Sequence, residues 1–265
     1  MNYYKDKVVL ITGASSGIGK ELAIQLAQQK AKLILIARRI EVLEDVQIEC
    51  LHHTEFCEII PFDLFDTAQI LELASRIIGV YGQLDVLINN AGISQRSLVT
   101  ETDISVDRSI MELDYFATVS LTKALLPALL KQSVTHIVVI SSVSGLIGFP
   151  MRSAYAAAKH ALHGFFETLQ TEFLERPLHV TIVCPGRINT PISMSALTGN
   201  GLPHSKMDEG QKNGIPAAVC ASQILTATQK KKKRIVIAKE EKILLMIRRW
   251  IPSLFFRIAH KKGME

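Results

Sequence analysis

Seven short apolar runs place the strongest constraint on the fold of this 265-residue chain. Each run is continuously hydrophobic, which is typical of strands buried on both faces of a parallel sheet. The predicted strands are Lys7–Thr12, Lys32–Ala37, Cys57–Phe62, Leu84–Asn89, Thr135–Ser141, His179–Cys184 and Arg234–Ala238. Helical patterns separate them, so the sequence predicts an α/β, doubly wound fold with a seven-stranded parallel sheet flanked by helices on both faces. Ligands of such sheets bind at the carboxyl ends of the strands.

Composition favours one domain over residues 1–240, because 48% of the residues are apolar and no repeat or linker-like stretch divides the chain. The charge is unevenly placed. Residues 230–265 contain 12 Lys/Arg and 3 Asp/Glu, whereas the rest of the chain is net acidic. A nucleic-acid-binding protein usually spreads basic residues over a face with aromatic residues between them, so we expect no nucleic-acid partner.

The four cysteines show no C-x-x-C spacing and no histidine partners at metal-ligand distances. This pattern predicts reduced, mostly buried thiols and no metal site. The N-terminal MNYYKDK runs into an apolar stretch too short for a signal peptide. We therefore expect a cytoplasmic protein, with peripheral association at a membrane as the open alternative.

A glycine-rich stretch, TGASSGIGK, joins the first predicted strand to the first predicted helix. Glycines let the backbone approach a pyrophosphate closely, and the helix N-terminus offers unpaired N–H donors. The stretch therefore predicts a dinucleotide site. Its predicted binding residues are Gly13, Ser15, Ser16, Gly17, Ile18 and Gly19.

The end of the second predicted strand indicates which dinucleotide binds. A carboxylate there usually binds the ribose 2′-OH of NAD, whereas arginine suits the 2′-phosphate of NADP. This strand ends in Arg38 and Arg39 and has no acid before Glu41. The pattern predicts NADP(H) as cofactor; the alternative is a pair of solvated surface arginines.

Tyr155 and Lys159 lie four residues apart on a predicted helix and therefore on one face. An adjacent ammonium favours the phenolate form of a tyrosine, which makes the phenol usable in proton transfer. A lone Y-x-x-x-K is usually helix surface. Here Ser142 ends a predicted strand 13 residues before Tyr155, where its hydroxyl can polarise a carbonyl.

Several motifs in the right order, each at a strand end, give the chain a family resemblance over residues 5–240. The motifs are the glycine loop, NNAG (Asn89–Gly92), Ser142, Tyr155 with Lys159, and PGRINT (Pro185–Thr190). Together they resemble the short-chain dehydrogenase/reductase family. NNAGISQRSL, SLTKALLP and KHALHGFFETLQTE are similar to the branch that contains the dehydrogenase/reductase members 7 and 7B and 11-beta-hydroxysteroid dehydrogenase.

The resemblance implies a Rossmann-type fold and an NADP(H)-dependent oxidoreductase that interconverts a lipid-like carbonyl compound and its alcohol. It also implies a homodimer or homotetramer. Tyr155 would be the general acid/base, Ser142 would position the carbonyl, and Lys159 would hold the nicotinamide ribose. Further cofactor contacts are implied for Asp63, Leu64, Asn89, Ala91, Gly92, Pro185, Gly186, Ile188 and Thr190.

One position departs from the family pattern. Asp114 stands where the family usually has asparagine as the fourth member of its catalytic set. A carboxylate near Lys159 would oppose phenolate formation at Tyr155. The sequence therefore predicts that Asp114→Asn lowers the pH optimum of alcohol oxidation; the alternative is a local cap or salt bridge.

The substrate side is predicted from the segment that follows the sixth strand. Residues 190–215 are long and punctuated by glycine, which is typical of a mobile lid. His204 in this segment is expected to be a solvated loop histidine. The candidate substrate residues are Ser94, Gln95, Phe149, Met151 and Arg152. This mostly apolar set predicts a lipophilic ketone or aldehyde without saying which one.

The chain ends in a basic, apolar extension, residues 241–265. A membrane span needs about 20 uninterrupted apolar residues, but Arg248 and Arg249 interrupt the run and Pro252 splits it. Two readings stay open for this predicted amphipathic helix pair. Residues 241–262 either pack on the lid or a sister subunit, or contact the interface of an anionic bilayer.

A second class of function also stays open. The chain could be a non-catalytic NADP(H)-binding module that senses redox state and docks on a partner or membrane. The Ser142, Tyr155 and Lys159 set argues against it, because a sensor need not keep all three residues.

Overall fold

The computed structural model describes residues 3–264, with side chains to residue 261, so Met1, Asn2 and Glu265 of the predicted ranges lie outside the described residues. The strands are β1 (Val8–Thr12), β2 (Lys32–Ala37), β3 (Cys57–Pro61), β4 (Val86–Asn89), β5 (Thr135–Ile140), β6 (Leu178–Pro185), β7 (Ile188–Asn189), β8 (Ile215–Pro216) and β9 (Arg234–Ile237). The helices are α1 (Gly17–Gln28), α2 (Ile40–Leu51), α3 (Ile70–Tyr81), α4 (Ile104–Met111), α5 (Thr118–Leu129), α6 (Ser153–Glu172), α7 (Glu209–Lys212), α8 (Ala217–Gln229), α9 (Glu241–Trp250) and α10 (Pro252–Met264).

Seven of these strands form one parallel sheet in the order β3-β2-β1-β4-β5-β6-β9. The predicted α/β, doubly wound fold is therefore confirmed. The chain steps outwards from β1 to β3 on one side and from β4 to β9 on the other. The strand order thus reverses between β1 and β4, and a ligand crevice opens at the carboxyl ends of strands at such a reversal.

Helices cover both faces of the sheet because its strands are apolar on both sides. Successive residues of a strand point to opposite faces, so Leu10 joins the core beneath α3 to α6 while Val9 joins the core beneath α1, α2 and α8. Phe166 of α6 and Leu22 of α1 are fully buried on these two faces. All four cysteines are free and buried, as the sequence predicted.

The predicted lid is folded against the body of the protein. Leu197 accepts a hydrogen bond from the N–H of Arg96 and donates its own N–H to the carbonyl of Ser94, both at 2.8 Å. At the base of the segment, β7 pairs with β8 in a short parallel ladder that the sequence did not predict. The lid segment is thereby hydrogen-bonded to the loop that follows β4; its mobility stays a prediction.

The C-terminal helices α9 and α10 bury one face and expose the other. Leu244 and Phe255 pack against Val143 and Ile147 in a third, smaller core. The opposite face presents apolar side chains to solvent, namely Ile243, Met246, Trp250, Ile251, Leu254 and Phe256. Within residues 3–264, no helix has the length and apolar content needed to traverse a bilayer.

Candidate active site

A cleft of about 850 Å³ runs along the carboxyl ends of β1, β2, β4, β5 and β6. Most of the residues predicted to bind a dinucleotide line it. They are Gly13, Ser15, Ser16, Gly17, Ile18, Arg38, Arg39, Asp63, Leu64, Ala91, Gly92, Tyr155, Lys159, Pro185, Gly186, Ile188 and Thr190. The cleft therefore gathers segments that are up to 177 residues apart in the chain.

The floor of the cleft is suited to a pyrophosphate. Ser16 precedes α1 with extended backbone, and its side chain makes no capping hydrogen bond to the helix. The first N–H groups of α1 are therefore left for an anionic ligand, at the end of the helix where the dipole is positive. The residues present thus fit a dinucleotide cofactor.

Asn90 fastens the glycine loop to β4 and was not among the predicted residues. Its side-chain amide donates to the carbonyls of Thr12 and Gly13 at 2.9 and 3.1 Å. In return, the hydroxyl of Thr12 accepts the backbone N–H groups of Asn90 and Ala91, both at 3.0 Å. The two central strand ends are therefore held together under the cofactor site.

Two residues predicted to contact the cofactor do not line the cleft. Asn89 is buried and donates its amide to the hydroxyl of Thr122 at 2.9 Å, so it fastens β4 to α5. Gly19 is also buried, and a Cβ there would lie 2.3 Å from the carbonyl oxygen of Gly13. The absence of a side chain at Gly19 lets α1 pack closely against the loop. Strand alternation turns Asn89 inwards, and helix packing turns Gly19 inwards.

Ser142, Tyr155 and Lys159 all line this cleft. Ser142 follows β5, accepts the N–H of Ser144 at 3.1 Å and donates to the carbonyl of Pro185 at 3.4 Å. Tyr155 and Lys159 share one face of α6, with the Lys159 Nζ 5.6 Å from the centroid of the Tyr155 ring. The predicted catalytic set is therefore assembled on one side of the cleft.

Asp114 lies behind this set and forms a buried ion pair with Lys159. Its Oδ2 is 3.1 Å from the Lys159 Nζ, and the two side chains are 0% and 5% exposed. Oδ1 accepts the N–H of Ile93 at 2.8 Å, and the Lys159 Nζ donates to the carbonyl of Ile140 at 3.2 Å. Asp114 does not line the cleft, so it would act on the reaction through its ion pair with Lys159.

A π-helical turn places the Asp114 carboxylate. Residues Glu112–Ala117 form this turn between α4 and α5, in an otherwise continuous helical stretch. Gly92 passes directly over the ion pair, and a Cβ there would lie 3.1 Å from both carboxylate oxygens and from the Lys159 Nζ. The loop after β4 can approach the pair this closely because residue 92 has no side chain.

The ion pair sets the protonation of its two members. Burial disfavours the ammonium of Lys159, but the charges of Asp114 and the Tyr155 oxygen outweigh it and raise the Lys159 pKa. Burial raises the pKa of Asp114, while Lys159 and the N–H of Ile93 oppose that shift. The pair therefore favours the ammonium form of Lys159, whose Nζ lies over the Tyr155 ring.

A second cavity, of about 120 Å³, opens beside the cleft. Ser142 and Tyr155 line both cavities, so they stand where the two meet. Of the predicted substrate residues, Ser94, Phe149 and Arg152 line the second cavity. Residues that the sequence reasoning missed also line it, including Arg96, Val143, Ile147, Arg187, Ile192 and Leu244.

Two predicted substrate residues line neither cavity. Gln95 is fully buried, and its side chain accepts the N–H of Ala154 at 2.8 Å and donates to the hydroxyl of Thr102 at 3.0 Å. It therefore anchors the start of α6 and the loop after β4. Met151 has a φ of 63°, and its carbonyl accepts the N–H of Ser97 at 3.4 Å. This turn directs the chain into α6 and leaves Met151 outside the cavity wall.

A Ser–Tyr–Lys set beside a dinucleotide cleft, in a doubly wound parallel sheet, defines a nicotinamide-dependent oxidoreductase. The short chain dehydrogenase family model matches residues 7–201. The chain belongs to the short-chain dehydrogenase/reductase family, as its motifs predicted.

Individual relatives agree with this assignment. Dehydrogenase/reductase SDR family member 7B of Mus musculus is 40% identical over 270 residues, which cover 99% of this chain and 83% of the relative. Dehydrogenase/reductase SDR family protein 7-like of Drosophila melanogaster is 39% identical over 269 residues, covering 100% and 82%. The similarity to the branch of members 7 and 7B is therefore confirmed.

Solved structures agree on the fold. A short-chain dehydrogenase/reductase from Burkholderia phymatum in complex with NAD superposes with a TM-score of 0.85 at 22% identity, over 96% of each chain. A short-chain dehydrogenase from Shigella flexneri complexed with NADP has a TM-score of 0.78 at 30% identity, over 89% of this chain and 98% of that one.

We predict that Asp114→Asn shifts the pH profile of alcohol oxidation to lower pH by about one unit. Without the carboxylate, the positive charge of Lys159 acts on Tyr155 undiminished. The acidic limb of the pH profile therefore moves to lower pH. Lys159 also loses the charge that raises its pKa, so the alkaline limb falls as well. The measurement is kcat/KM for alcohol oxidation against pH.

The control is Glu112→Gln, in the same π-helical turn, where the carboxylate accepts a hydrogen bond from Thr67 at 3.2 Å. Its pH profile should match that of the unmodified protein. An unchanged profile in Asp114→Asn would show that the ion pair does not govern the proton transfer.

Proposed function

We propose that this protein is an NADPH-dependent oxidoreductase that interconverts a lipophilic ketone or aldehyde and its alcohol. The observation that carries the proposal is that Ser142 and Tyr155 line both cavities. A carbonyl group bound in the smaller cavity would therefore reach these hydroxyls at the point where the cleft opens towards it. When bound, the nicotinamide supplies or accepts the hydride.

The residues of the set have separate roles in this proposal. Ser142 donates a hydrogen bond that positions and polarises the substrate carbonyl. Tyr155 donates its phenolic proton to the carbonyl oxygen as the carbonyl carbon receives the hydride, and it accepts a proton in the reverse direction. Lys159, kept as an ammonium by Asp114, stabilises the phenolate that remains.

We predict that Tyr155→Phe lowers kcat for a panel of lipophilic ketones by at least about 100-fold, because general acid catalysis contributes roughly that much. NADPH binding should change little, since the ring and Lys159 remain. The assay follows NADPH oxidation together with cofactor titration by fluorescence. Undiminished turnover would refute the role of Tyr155. Cofactor binding with no turnover of any ketone by the unmodified protein would favour the non-catalytic sensor.

The preference for NADPH rests on the arginines that follow β2. Arg38 and Arg39 line the cleft and are exposed, and the only acid paired with either in the described residues is Asp63, 3.8 Å from Arg38 Nη1. A 2′-phosphate brought between these guanidiniums would form charge-assisted hydrogen bonds. The solved relative at 30% identity was crystallised with NADP, which supports the proposal.

We predict that NADPH binds more tightly than NADH. The double variant Arg38→Ala, Arg39→Ala should remove most of this difference in affinity, because it weakens NADPH binding about tenfold or more. NADH binding should stay within about twofold. The control is Lys20→Ala, whose partner is Glu49, at 2.8 Å. Tighter binding of NADH by the unmodified protein would contradict the proposal.

A peripheral contact with an anionic membrane is the second part of the proposed function. The exposed face of α9 and α10 combines apolar side chains with Arg248, Arg249 and Arg257, and the sequence has no acid between Glu241 and Glu265. Arg249 lies 5.4 Å from the ring of Trp250, which is 72% exposed. A basic, aromatic surface of this kind is attracted to anionic headgroups.

We predict that the protein co-sediments with phosphatidylserine-containing vesicles and less with neutral ones. Arg248→Glu with Arg249→Glu should weaken this binding by roughly tenfold or more, because each cation near the surface contributes about 1 kcal/mol. Trp250→Ser should weaken it as well. The control is Leu71→Ser, an equally exposed apolar residue on α3. If the protein does not bind vesicles and the variants change its oligomeric state, the result would favour a sister subunit packed on this face. The homodimer or homotetramer itself stays a prediction.

A further inference from the structure

Three arginines from separate segments surround the second cavity, beside Tyr155. Arg96 follows β4, Arg152 directly precedes α6, and Arg187 lies between β6 and β7. None of the three lines the dinucleotide cleft. They are therefore not positioned to bind the phosphates of the cofactor. In the proposed function the N-terminus of α1 binds the pyrophosphate, and Arg38 with Arg39 binds the 2′-phosphate.

A single carboxylate is shared by two of these arginines. Asp208, on the lid, forms an ion pair with Arg96 and lies 3.6 Å from the Nη2 of Arg152. Its other oxygen lies 3.3 Å from the Nε of Arg96. The Asp208 carboxylate shows that two guanidiniums converge closely enough to bind one oxyanion between them.

The third guanidinium is not neutralised. Within the described residues, Arg187 has no carboxylate within 4 Å of its guanidinium, and its backbone N–H donates to Glu241 at 3.1 Å. The other carboxylate oxygen of Glu241 accepts the N–H of Lys239 at 3.2 Å. Glu240 also lines the cavity.

Water solvates two of these three cations poorly, whereas Arg187 is exposed. The Arg96 side chain is 8% exposed, and that of Arg152 is 25% exposed. Burial lowers the pKa of Arg96 to about 9, and the positive charges of Arg152 and Arg187 add to the shift while the Tyr155 oxygen opposes it. Burial likewise lowers the pKa of Arg152 to about 10. Positive charge on partly buried guanidiniums favours a bound anion.

We infer that the substrate carries an oxyanion, a carboxylate or a phosphate, in addition to its carbonyl, and that Arg152 and Arg187 with Arg96 bind that group. The inference rests on the proposed function and narrows its substrate class from lipophilic ketones to acidic ones. The planar fork of arginine binds carboxylate and phosphate oxygens in pairs. The apolar wall of Val143, Ile147 and Leu244 would hold the hydrocarbon part.

The test compares ketones that differ only in charge. The probes are a medium-chain keto acid, its methyl ester, and a keto alcohol of similar length with its phosphate monoester. The unmodified protein should show a kcat/KM about tenfold or more higher for the acid than for its ester, or for the phosphate than for the free alcohol. The pair of probes with the larger ratio of kcat/KM shows whether the bound oxyanion is a carboxylate or a phosphate.

Arg187→Gln and Arg152→Gln should lower kcat/KM for the charged ketones by about tenfold or more, since hydrogen bonds to charged groups contribute roughly 1.5–3 kcal/mol. They should lower it much less for the neutral ones. Arg187 is exposed, so its variant should fold normally. The control is Arg176→Gln, in the exposed turn before β6 at the opposite edge of the sheet. Equal turnover of charged and neutral ketones, or equal losses on both in the variants, would overturn the inference.

A binding experiment separates this inference from the proposed function. With NADPH present, octanoate, octyl phosphate and 1-octanol are titrated while the melting temperature is followed. Stabilisation by either anion and not by the alcohol, lost in Arg187→Gln, supports the subsite even if no ketone is reduced. If neutral ketones are reduced and neither anion stabilises the protein, the proposed function stands and the oxyanion subsite is wrong.

Discussion

The rest of the structure depends on one constraint, which is that the inner strands of the sheet are apolar on both faces. Such strands must be covered on both sides, so each is followed by a helical crossover that returns the chain to the same edge of the sheet. All strands then end at one edge. The glycine loop, Arg38, Asn90, Ser142 and Pro185 therefore meet there, although they are widely spaced in the chain.

The buried pair of Asp114 and Lys159 is the feature that distinguishes this active site. Removing two charges from water is costly, and the pair persists because each member has further partners, the N–H of Ile93 and the carbonyl of Ile140. The pair joins the π-helical turn to α6 and the end of β5. The ammonium beside the Tyr155 ring is thereby paired with a carboxylate that does not line the cleft.

Charge is divided between distinct parts of the surface around the site. Arg38 and Arg39 line the cleft after β2, the arginines of the second cavity stand beside Tyr155, and the exposed basic face of α9 and α10 lies opposite the buried Leu244. Leu244 belongs both to the cavity wall and to α9. A contact of the C-terminal helices with lipid would therefore occur next to the cavity proposed to bind an acidic lipid-like ketone.

The sequence by itself determined the alternation of strands and helices along the chain, the glycine loop, and the Ser142, Tyr155 and Lys159 set, because these depend on local periodicity and on short spacings. It located the second cavity only in part: Ser94, Phe149 and Arg152 line it, whereas Gln95 and Met151 do not. Which side chains of a loop face a cavity depends on turn geometry and on partners distant in sequence, such as Ala154 for Gln95. For the same reason only the tertiary structure brought Arg96, Arg187 and Asp208 together: their proximity comes from the lid pairing with the loop after β4, and no local pattern encodes that contact.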